Sequence, residues 1–488
     1  MKSSPHNRVL VVVDDREFTA SEVRSLVGVR RFGEIVFRRR PLIEYVTASL
    51  PEWAHGQLFH IRTTDDLADL RRRLECCGED TAAFIMAARA GFADPDRLTQ
   101  LIERLPYAEE DFTDRLYRPL LVFLRNAHQL VNQWEAIECT PLHHWPRAWQ
   151  NTERLRSLQP LDLAKIRDFL TFTSGWTSTR HFNAVELDAF YYTKSSTDKR
   201  KMLAEYSFYG LAPEAMRPWL VQPFDYREDG DRASYKTMRY YLADAALQWV
   251  HGAFDTESFE AFVDRLLFFI KERTRRPCGK PQSASLARDL FVTKLEHRVQ
   301  EFLAMQEGQR IDALVTSSNP ALGVNQQVQR YLALYRRHEA QFAMDHMVVG
   351  HGDPCFSNIL YDQQRYLLKL IDPKGAVTED DLWTHPLYDL CKVSHSALGD
   401  YDFINNGLYS VGFNDRNDLI LRIQHSRHDE LKPLFLQYLK AMHHDPKVIR
   451  LGEASLFLSM LPLHIDCPNK VIAFLLKAKD ILDEVERE

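Results

Sequence analysis

The pattern of apolar residues changes along this chain, and that change restricts the folds it can adopt. In the first third, short β-rich apolar runs alternate with amphipathic stretches. The apolar runs are RVLVVV (8–13), EIVF (34–37), QLFHI (57–61), AAFIMA (82–87) and LLVFL (120–124). Because strands that alternate with helices are typical of a parallel α/β sheet, we predict an α/β domain over residues 1–155.

One amphipathic stretch between these runs, TTDDLADLRRRLE (63–75), has the features of a capped helix. Leu67, Leu70 and Leu74 fall on one face at helical spacing. We predict Thr64 as the N-cap residue, because a threonine oxygen can accept a hydrogen bond from a backbone N–H group of the first turn.

The remainder of the chain divides into a short mixed segment and a long helical one. HFNAVELDAFYYTKSS (181–196) is typical of a β-hairpin, and STDKRKMLAEYSFYGL (196–211) of a helix that follows it. Helical spacing then dominates in ESFEAFVDRLLFFIKER (257–273) and SLARDLFVTKLEHRVQEFL (285–303), which the predicted linker RRPCGKPQSAS (275–285) separates. The apolar face of the second stretch is Phe291, Leu295, Val299 and Phe302. Since 488 residues exceed one ordinary core, we predict two or three domains, and the change of pattern separates the segments 156–245 and 246–488.

Composition and charge limit the partners. Hydrophobic residues make up 45% of the chain and charged residues 27%, which is ordinary for a soluble globular protein. The net charge of −6 is small for this length, so nucleic acid is not an expected partner. The short basic runs Arg38–Arg40, Arg71–Arg73 and Arg273–Arg276 are predicted to lie on solvated faces.

Cysteine usage and the N-terminus bear on location. The seven cysteines form no C-x-x-C pair, which argues against a disulfide framework or a zinc site. The segment MKSSPHNRVLVVVDD is too polar before its apolar run to be a signal peptide, and no apolar stretch reaches the length of a membrane span. We therefore expect a cytoplasmic protein without membrane insertion; its oligomeric state stays open.

The segment HGDPCFSNILYD (351–362) carries the clearest chemical signal. His351 and Asp353 are followed five positions later by Asn358, and after a predicted hairpin the segment IDPKG presents Asp372. Phosphoryl transfer from ATP needs an oxygen that orients the acceptor hydroxyl and oxygen ligands for magnesium. An asparagine oxygen is a hard ligand that adds no negative charge beside a triphosphate. This spacing therefore predicts a phosphoryl-transfer site.

The three segments HGDPCFSNILYD, LIDPKG and HPLYDLCKVSHS together resemble the aminoglycoside phosphotransferase and choline kinase family. The chain looks most similar to the subgroup of that family associated with bacterial capsule and surface-polysaccharide genes. The resemblance covers about 160–480 and is strongest at 351–396. It implies an α+β protein-kinase-like domain with a small N-lobe and a mostly helical C-lobe, with ATP and Mg²⁺ as cofactors.

The resemblance also implies roles for individual residues. Asp353 would be the catalytic aspartate, with Asn358 and Asp372 as the metal ligands. His351 would be a structural member of the same loop, and Asp389 a buried aspartate that supports it. One local departure is His385, which stands where many relatives carry an aspartate before the proline.

Upstream segments are similar to the nucleotide-binding part of that family. Lys194 in FYYTKSS matches the lysine that holds the nucleotide phosphates, and Glu205 its helix partner, although Lys199 and Lys201 are nearby alternatives. YKTMRYYL (235–242) stands where the family pairs its backbone with adenine. The phosphate-covering loop would lie near SGWTSTR (174–180), which contains a single glycine.

The first third offers two fainter similarities. VVVDDREFT (11–19) resembles the nucleophile motif of haloacid dehalogenases, but that motif needs Asp-x-Asp, whereas Asp14 and Asp15 are adjacent. RRPLIEYV (39–46) looks similar to a lysine-Pro-Leu run of sugar-nucleotide transferases, yet DDREFTASEVRSL (14–26) contains no glycine to cradle a triphosphate. We interpret residues 1–155 as a nucleotidyltransferase-like domain that has lost catalysis, or as an unrelated binding domain.

These observations favour an ATP- and magnesium-dependent phosphotransferase that acts on a hydroxyl of a small polar acceptor, such as a sugar or polyol of surface-polysaccharide assembly. A choline- or ethanolamine-type kinase is the alternative among enzymes, with an aromatic cage drawn from DDLWTHPLYDL (380–390) and GDYDFINNGLY (399–409). A non-catalytic pseudokinase scaffold is the alternative outside enzymes. Intact metal-ligand positions argue against the scaffold.

Overall fold

The computed structural model describes residues 9–37, 39–78, 80–92, 94–115, 118–142, 153–154, 159–175, 183–188, 190–424 and 428–487. It divides the chain into two compact units, Met1–Ser178 and Thr179–Glu488.

The first unit is built on a mixed sheet. Its strands are β1 (Val9–Asp14), β2 (Val36–Phe37), β3 (Arg40–Pro41), β4 (Leu58–Ile61), β5 (Ala82–Ala87), β6 (Ala90–Gly91), β7 (Phe112–Thr113), β8 (Leu121–Leu124), β9 (Glu153–Arg154) and β10 (Leu161–Asp162). The main sheet has the order β4-β1-β5-β8-β7-β9. Strand β1 is parallel to β4 and β5, whereas β8 is antiparallel to both β5 and β7. The all-parallel prediction is therefore wrong for β8, and the predicted strand EIVF supplies only the small β2–β3 hairpin.

Helices of the first unit follow the predicted alternation. They are α1 (Ser21–Val27), α2 (Leu42–Ala48), α3 (Thr64–Glu75), α4 (Pro95–Arg104), α5 (His128–Val131), α6 (Trp134–Cys139) and α7 (Ile166–Gly175). Leu67, Leu70 and Leu74 of α3 are buried, as predicted. The N-cap is Thr63 and not Thr64, because Thr63 Oγ1 accepts the Asp66 N–H while Asp66 accepts the N–H of Thr63.

The first unit extends past the predicted boundary at residue 155. Strand β10 pairs with β6, joining Leu161 to Gly91 and Asp162 to Ala90. Helix α7 follows β10, and its first backbone N–H, at Ile166, lies 3.2 Å from Glu22 Oε2 of α1. These contacts place residues 159–175 with the first unit.

A small lobe begins the second unit. Its antiparallel sheet has the order β11-β12-β14-β13, formed by β11 (Asn183–Leu187), β12 (Tyr191–Ser196), β13 (Pro223–Asp229) and β14 (Arg232–Met238). Strands β11 and β12 are the predicted hairpin, and α8 (Lys199–Leu211) is the predicted helix after it. The side-chain oxygen of Asp198 caps α8 by accepting the Lys201 N–H. Buried Met202 and Phe208 fix α8 within the unit.

A mostly helical lobe follows. Its helices are α9 (Ala245–Val250), α10 (Thr256–Lys271), α11 (Lys280–Arg288), α12 (Lys294–Ala304), α13 (Gln306–Ser318), α14 (Val324–His338), α15 (Pro386–Ala397), α16 (Tyr401–Asn405), α17 (His428–Ala441), α18 (Pro446–Ser459) and α19 (Pro468–Arg487). A π-helical turn, Asp289–Thr293, joins α11 to α12. The predicted apolar face Phe291, Leu295, Val299 and Phe302 is buried in one core with α18 and α19.

Short strands lie among these helices and carry the loops of interest. They are β15 (Ala243–Asp244), β16 (Arg275–Pro277), β17 (His346–Val349), β18 (Ile359–Asp362), β19 (Leu367–Leu370), β20 (Trp383–Thr384), β21 (Tyr409–Phe413) and β22 (Leu419–Ile423). The predicted linker RRPCGKPQSAS is not a linker, because β16 pairs with β17 and α11 begins at Lys280.

The fold class is as predicted. An α/β domain is followed by a unit with a small sheet-rich lobe and a mostly helical lobe, which is the arrangement that the sequence predicted. Within the residues described, no helix combines the length and the apolar character that crossing a membrane requires.

Candidate active site

A hairpin in the helical lobe brings Asn358 and Asp372 together. Asn358 directly precedes β18, and Asp372 lies two residues after β19. The two strands are antiparallel, with Ile359 opposite Leu370. The backbone N–H of Ile371 donates to the carbonyl of Asn358 over 3.0 Å, which closes the open end of the hairpin. Two residues that are far apart in the sequence therefore become neighbours through strand pairing alone.

The loop that carries Asp353 is hydrogen-bonded to the buried side chain of Asp389. This loop leaves β17 at Gly350, and Asp389 lies on α15 with no exposed surface. The backbone N–H groups of His351 and Gly352 donate to the two carboxylate oxygens of Asp389 over 3.0 and 2.8 Å. A buried carboxylate that accepts two backbone donors fixes the loop that they belong to.

Arg273 completes this support, contrary to the predicted solvated face for residues 273–276. Its side chain is 3% exposed, and its Nη1 lies 2.8 Å from Asp389 Oδ2. Its remaining donors reach the carbonyls of Ile270 and Pro386, each over 2.9 Å. The prediction that residues 273–276 lie on a solvated face is wrong for Arg273, because this arginine points inward to the carboxylate of Asp389, 116 residues away in the sequence.

Two histidines near this loop are buried, and both have structural partners. His351 Nδ1 accepts the Asp353 N–H over 3.3 Å, and burial lowers the pKa of His351 below its usual value. His385 Nδ1 accepts the Leu387 N–H at the start of α15, and its Nε2 lies 2.9 Å from the carbonyl of Phe342. Burial lowers the pKa of His385 to about 4. Because the neutral His385 caps α15, it does what an aspartate at that position would do.

Asp353 faces the cleft and has two partners. Its side chain is 41% exposed, Oδ1 lies 2.9 Å from Lys392 Nζ, and Oδ2 accepts Asn358 Nδ2 over 3.2 Å. The same amide group also donates to the carbonyl of Asp353 over 2.9 Å. Burial raises the pKa of Asp353, but the Lys392 ammonium outweighs burial and holds that pKa below its usual value. Asp353 is therefore ionised at neutral pH.

Lys194 connects the small lobe to the same site. It lies on β12, it is 4% exposed, and its Nζ contacts Glu205 Oε2 at 2.7 Å and Asp372 Oδ1 at 3.0 Å. The hydroxyl of Tyr235, the residue opposite Lys194 in the sheet, donates to Glu205 over 2.9 Å. Burial lowers the pKa of Lys194, but the carboxylates of Asp372 and Glu205 outweigh burial and hold it above its usual value.

The alternative lysines lie elsewhere. Lys199 pairs with Glu228 at 3.3 Å. Lys201 is 45% exposed and lies 3.8 Å from Glu205. Of the three lysines considered from the sequence, the structure brings Lys194 to Asp372.

The chain turns sharply after Asp372. Asp372 itself has φ 55°, and Gly375 has φ 91°. The N–H of Ala376 donates to the carbonyl of Ala204 over 3.0 Å, so this turn packs against α8. A Cβ on Gly375 would lie 2.6 Å from the carbonyl carbon of Ala204 and 2.7 Å from the N of Glu205. The turn thus fixes both Asp372 and the helix that carries Glu205.

Gly375→Ala should lower the free energy of unfolding by about 2 kcal/mol, because it adds left-handed strain to a clash with backbone atoms. Urea denaturation of the full chain measures this. Gly210→Ala is the matched control, since a Cβ there meets nothing within 4 Å. Equal stability of the two variants would contradict the close packing of the turn on α8.

Comparison with known proteins adds little. No family model matches the chain, and no curated protein matches it. Among solved structures, the chain is similar to a thermostable mutant of aminoglycoside phosphotransferase APH(4)-Ia in its apo form, at 11% identity over 64% of this chain and 92% of that one, with a TM-score of 0.39. A ternary complex of such a mutant with AMP-PNP and hygromycin B matches at 12% identity over 64% and 91%, with a TM-score of 0.39. TM-scores of this size carry no functional information, so the function has to be argued from this chain's own site.

The oxygen atoms at the site suit a hard cation. Asp372 supplies a carboxylate, and Asn358 an amide oxygen whose amide nitrogen is turned toward Asp353. Within the described ranges, no group of three or more His, Cys, Asp and Glu side chains is placed to hold a metal ion. Magnesium commonly takes only one or two protein carboxylates and completes its shell with water and substrate phosphates. The donor set therefore fits Mg²⁺ bound together with a nucleotide.

Two segments were predicted to contact the nucleotide, SGWTSTR (174–180) and YKTMRYYL (235–242). Of the segment SGWTSTR (174–180), residues 176–180 lie outside the described residues. The connection between the lobes, residues 239–242, joins β14 to β15 and carries half-exposed tyrosines. Lys369 Nζ lies 5.8 Å from the ring centre of Tyr240, and Arg239 lies over the ring of Tyr241.

The adjacent aspartates of the first unit, Asp14 and Asp15, form structural hydrogen bonds within that unit. Asp14 accepts the backbone N–H of Leu142 over 2.8 Å and pairs with Arg16 at 2.8 Å. Asp15 is 1% exposed and accepts the N–H of Gly33 over 2.9 Å. These contacts agree with the interpretation of VVVDDREFT as loop chemistry at a strand end.

Sequence reasoning did not single out Lys392, Tyr388 and Lys294. Lys392 contacts Asp353, and Lys294 Nζ lies 2.9 Å from the Tyr388 hydroxyl. A signal for Lys392 was present, since it is the one lysine in the run HPLYDLCKVSHS.

Proposed function

We propose that the second unit is a phosphotransferase that moves the γ-phosphoryl group of ATP, in the presence of Mg²⁺, to a hydroxyl of a small polar acceptor. The observation that carries the proposal is the assembly of four side chains in one site. Asp353 is bonded to Asn358, the hairpin joins Asn358 to Asp372, and Lys194 reaches Asp372 from the other lobe. These are the parts that transfer from a nucleoside triphosphate requires.

In this mechanism Asp353 orients the acceptor. Its carboxylate is ionised and partly exposed, so it can accept a hydrogen bond from an incoming hydroxyl. The acceptor oxygen forms a bond to the γ-phosphorus, while the bond from that phosphorus to the β–γ bridging oxygen breaks. The hydroxyl proton passes late to Asp353, because the transition state is loose and the aspartate is a weak base.

The other residues hold the nucleotide. Lys194, positioned by Glu205, would contact the phosphates, since its ammonium already lies beside a carboxylate in the cleft. Asn358 and Asp372 would hold Mg²⁺, which when bound neutralises phosphate charge. His351 and Asp389 keep the loop in place without touching the substrate.

For the acceptor, the similarity of HGDPCFSNILYD to the surface-polysaccharide subgroup supports a sugar or polyol, and a cytoplasmic location goes with that substrate. The alternative, a choline-type kinase, needs an open aromatic cage. Tyr388, Tyr401 and Phe403, from the segments named for such a cage, are 3%, 8% and 0% exposed. These three rings belong to the core, so the structure adds no support for choline.

The direct test is a screen of ATP consumption by the full chain with Mg²⁺ against sugars, polyols, nucleotide sugars and amino alcohols. Phosphorylation of a sugar or polyol supports the proposal, and phosphorylation of an amino alcohol alone would select the alternative acceptor class. If the wild-type protein does not bind Mg-ATP, the result would favour the non-catalytic scaffold over the phosphotransferase. A further arm with CTP or UTP and a sugar phosphate tests the first unit. Pyrophosphate release there would contradict our proposal that this unit has no catalysis.

Asp372→Ala is expected to weaken binding of Mg-ATP ten- to a hundredfold, because the carboxylate at the phosphates is lost. Calorimetry with and without Mg²⁺ measures this. Asp380→Ala is the matched control, since the Asp380 side chain is 89% exposed and pairs only loosely with Arg276 at 3.3 Å. Unchanged Mg-ATP affinity in Asp372→Ala would remove Asp372 from the nucleotide site.

A further inference from the structure

Helix α15 presents two charged side chains to the loop of Asp353, the fully buried Asp389 and the partly exposed Lys392. Every residue of α15 is buried except Lys392, whose side chain is 15% exposed. The Lys392 ammonium lies 2.9 Å from Asp353 Oδ1, so it enters the cleft at the carboxylate that would meet the acceptor. A lysine at the edge of a buried helix gives up much of its hydration, which is costly unless the charge is paired, and here the pairing carboxylate is that of Asp353.

The Lys392 side chain stays protonated, and a buried tyrosine lies beside it. Burial lowers the pKa of Lys392, but Asp353 and the Tyr388 hydroxyl outweigh burial and hold it above its usual value. Tyr388 is buried, and its hydroxyl accepts Lys294 Nζ over 2.9 Å. Lys294 begins α12 directly after the π-helical turn, a feature that often lies at functional sites. The ammonium groups of Lys392 and, to a smaller extent, Lys294 both act to lower the pKa of Asp353.

Holding Asp353 in place does not require this lysine. The Asn358 amide donates both to the carbonyl and to Oδ2 of Asp353, which already sets the direction of the carboxylate. An ammonium has three N–H donors, and the contact with Asp353 uses one of them. Negative charge develops on the equatorial oxygens of a phosphoryl group during its transfer, beside the oxygen that Asp353 orients.

We propose that Lys392 is a further catalytic residue. Its ammonium contacts the phosphoryl group during the transfer, while the same ammonium stays bonded to Asp353. This inference rests on the proposed phosphotransferase function. Lys392 keeps all of its protons, because the acceptor hydroxyl gives its proton to Asp353 and the breaking bond is the one from phosphorus to the β–γ bridging oxygen. The lysine contributes charge at the position where the acceptor, the phosphoryl group and the carboxylate meet.

The first experiment needs no acceptor. Calorimetry compares Mg-ADP with Mg-ADP plus beryllium fluoride, a phosphoryl mimic, on wild type, Lys392→Met and Lys392→Arg. We expect Lys392→Met to bind Mg-ADP within threefold of wild type but to lose at least tenfold in affinity for the fluoride complex, with partial recovery in Lys392→Arg. Lys432→Met is the matched control, because Lys432 is also a partly buried lysine paired with an aspartate, Asp400, which keeps Lys477 as a second partner.

The second experiment is turnover with the acceptor found in the screen, or ATP hydrolysis with water as acceptor. Lys392→Met should lower kcat by about 30- to 100-fold with KM for ATP within threefold, since one charge contact in the transition state is lost. A merely structural role of Lys392 would instead raise KM for ATP or lower the unfolding temperature together with kcat.

The outcomes separate the two proposals. If wild type binds neither Mg-ADP nor its fluoride complex, the phosphotransferase assignment fails and the role of Lys392 fails with it. If wild type binds both and Lys392→Met matches Lys432→Met in fluoride-complex affinity and kcat, only the role of Lys392 is overturned. Thermal unfolding of each variant confirms that folded protein is being compared.

Discussion

Asp353→Asn is expected to lower acceptor-dependent turnover by about a thousandfold, in the range that removal of a positioned acid–base group produces. The amide cannot take up the hydroxyl proton, and it no longer attracts the Lys392 ammonium. Binding of Mg-ATP should change by less than a few-fold, because neither the Lys194–Asp372 contact nor the backbone bond from Ile371 to Asn358 involves the Asp353 side chain. Steady-state kinetics with the identified acceptor, together with calorimetry, measure both quantities.

Asp362→Asn provides the control for this variant. Asp362 lies at the end of β18 in the same hairpin, and it bonds Arg365 and local backbone groups without reaching the cleft. Its replacement should leave turnover within twofold of wild type. Turnover of Asp353→Asn within a few-fold of wild type would remove Asp353 from the role of orienting the acceptor.

Asp389→Ala is expected to cost about 3–5 kcal/mol of folding free energy, the usual effect of removing one partner of a buried ion pair. The Arg273 guanidinium would stay buried without its carboxylate, and the N–H groups of His351 and Gly352 would lose their acceptors. Turnover should fall with stability, since the loop that carries Asp353 depends on these bonds. Chemical denaturation monitored by fluorescence measures the loss.

A double variant distinguishes the ion pair from the loop. Asp389→Leu with Arg273→Met removes both charges, so stability should recover in large part toward wild type. Turnover should stay low, because leucine offers no acceptor to the loop. If Asp389→Ala unfolds within 1 kcal/mol of wild type, or if the double variant regains turnover, Asp389 does not support the catalytic loop.

The proximity of Asp353, Asn358 and Asp372 in the candidate site was predictable because it is local. Asp353 and Asn358 share one short loop, and Asp372 follows a hairpin whose strands are readable from their apolar residues. Once those strands pair, the positions of Asn358 and Asp372 are set by register. Lys194 and Glu205 were predictable for a similar reason, because a strand and the helix after it place them 11 residues apart.

What the sequence did not indicate depends on contacts between distant segments. Arg273 looks like any surface arginine until α15 places Asp389 beside it, 116 residues later. Lys392 is ordinary until the same helix faces the loop of Asp353. In the first unit, β8 follows β7 and pairs with it in the antiparallel direction, and apolar composition does not record direction.

The backbone bond between Ile371 and Asn358, at the open end of the β18–β19 hairpin, has a consequence for movement of the small lobe. Asn358 and Asp372 belong to one hydrogen-bonded piece of backbone, so their separation is independent of how the small lobe tilts. Lys194 and Glu205 belong to the small lobe and travel together through their 2.7 Å contact. The two pieces are joined at more than the contact of Lys194 with Asp372, because the Ala376 N–H also donates to the Ala204 carbonyl and the Val221 N–H to the Leu370 carbonyl. A tilt of the small lobe would have to break these backbone bonds as well as the ion pair, so the backbone itself couples the position of Lys194 to that of Asp372.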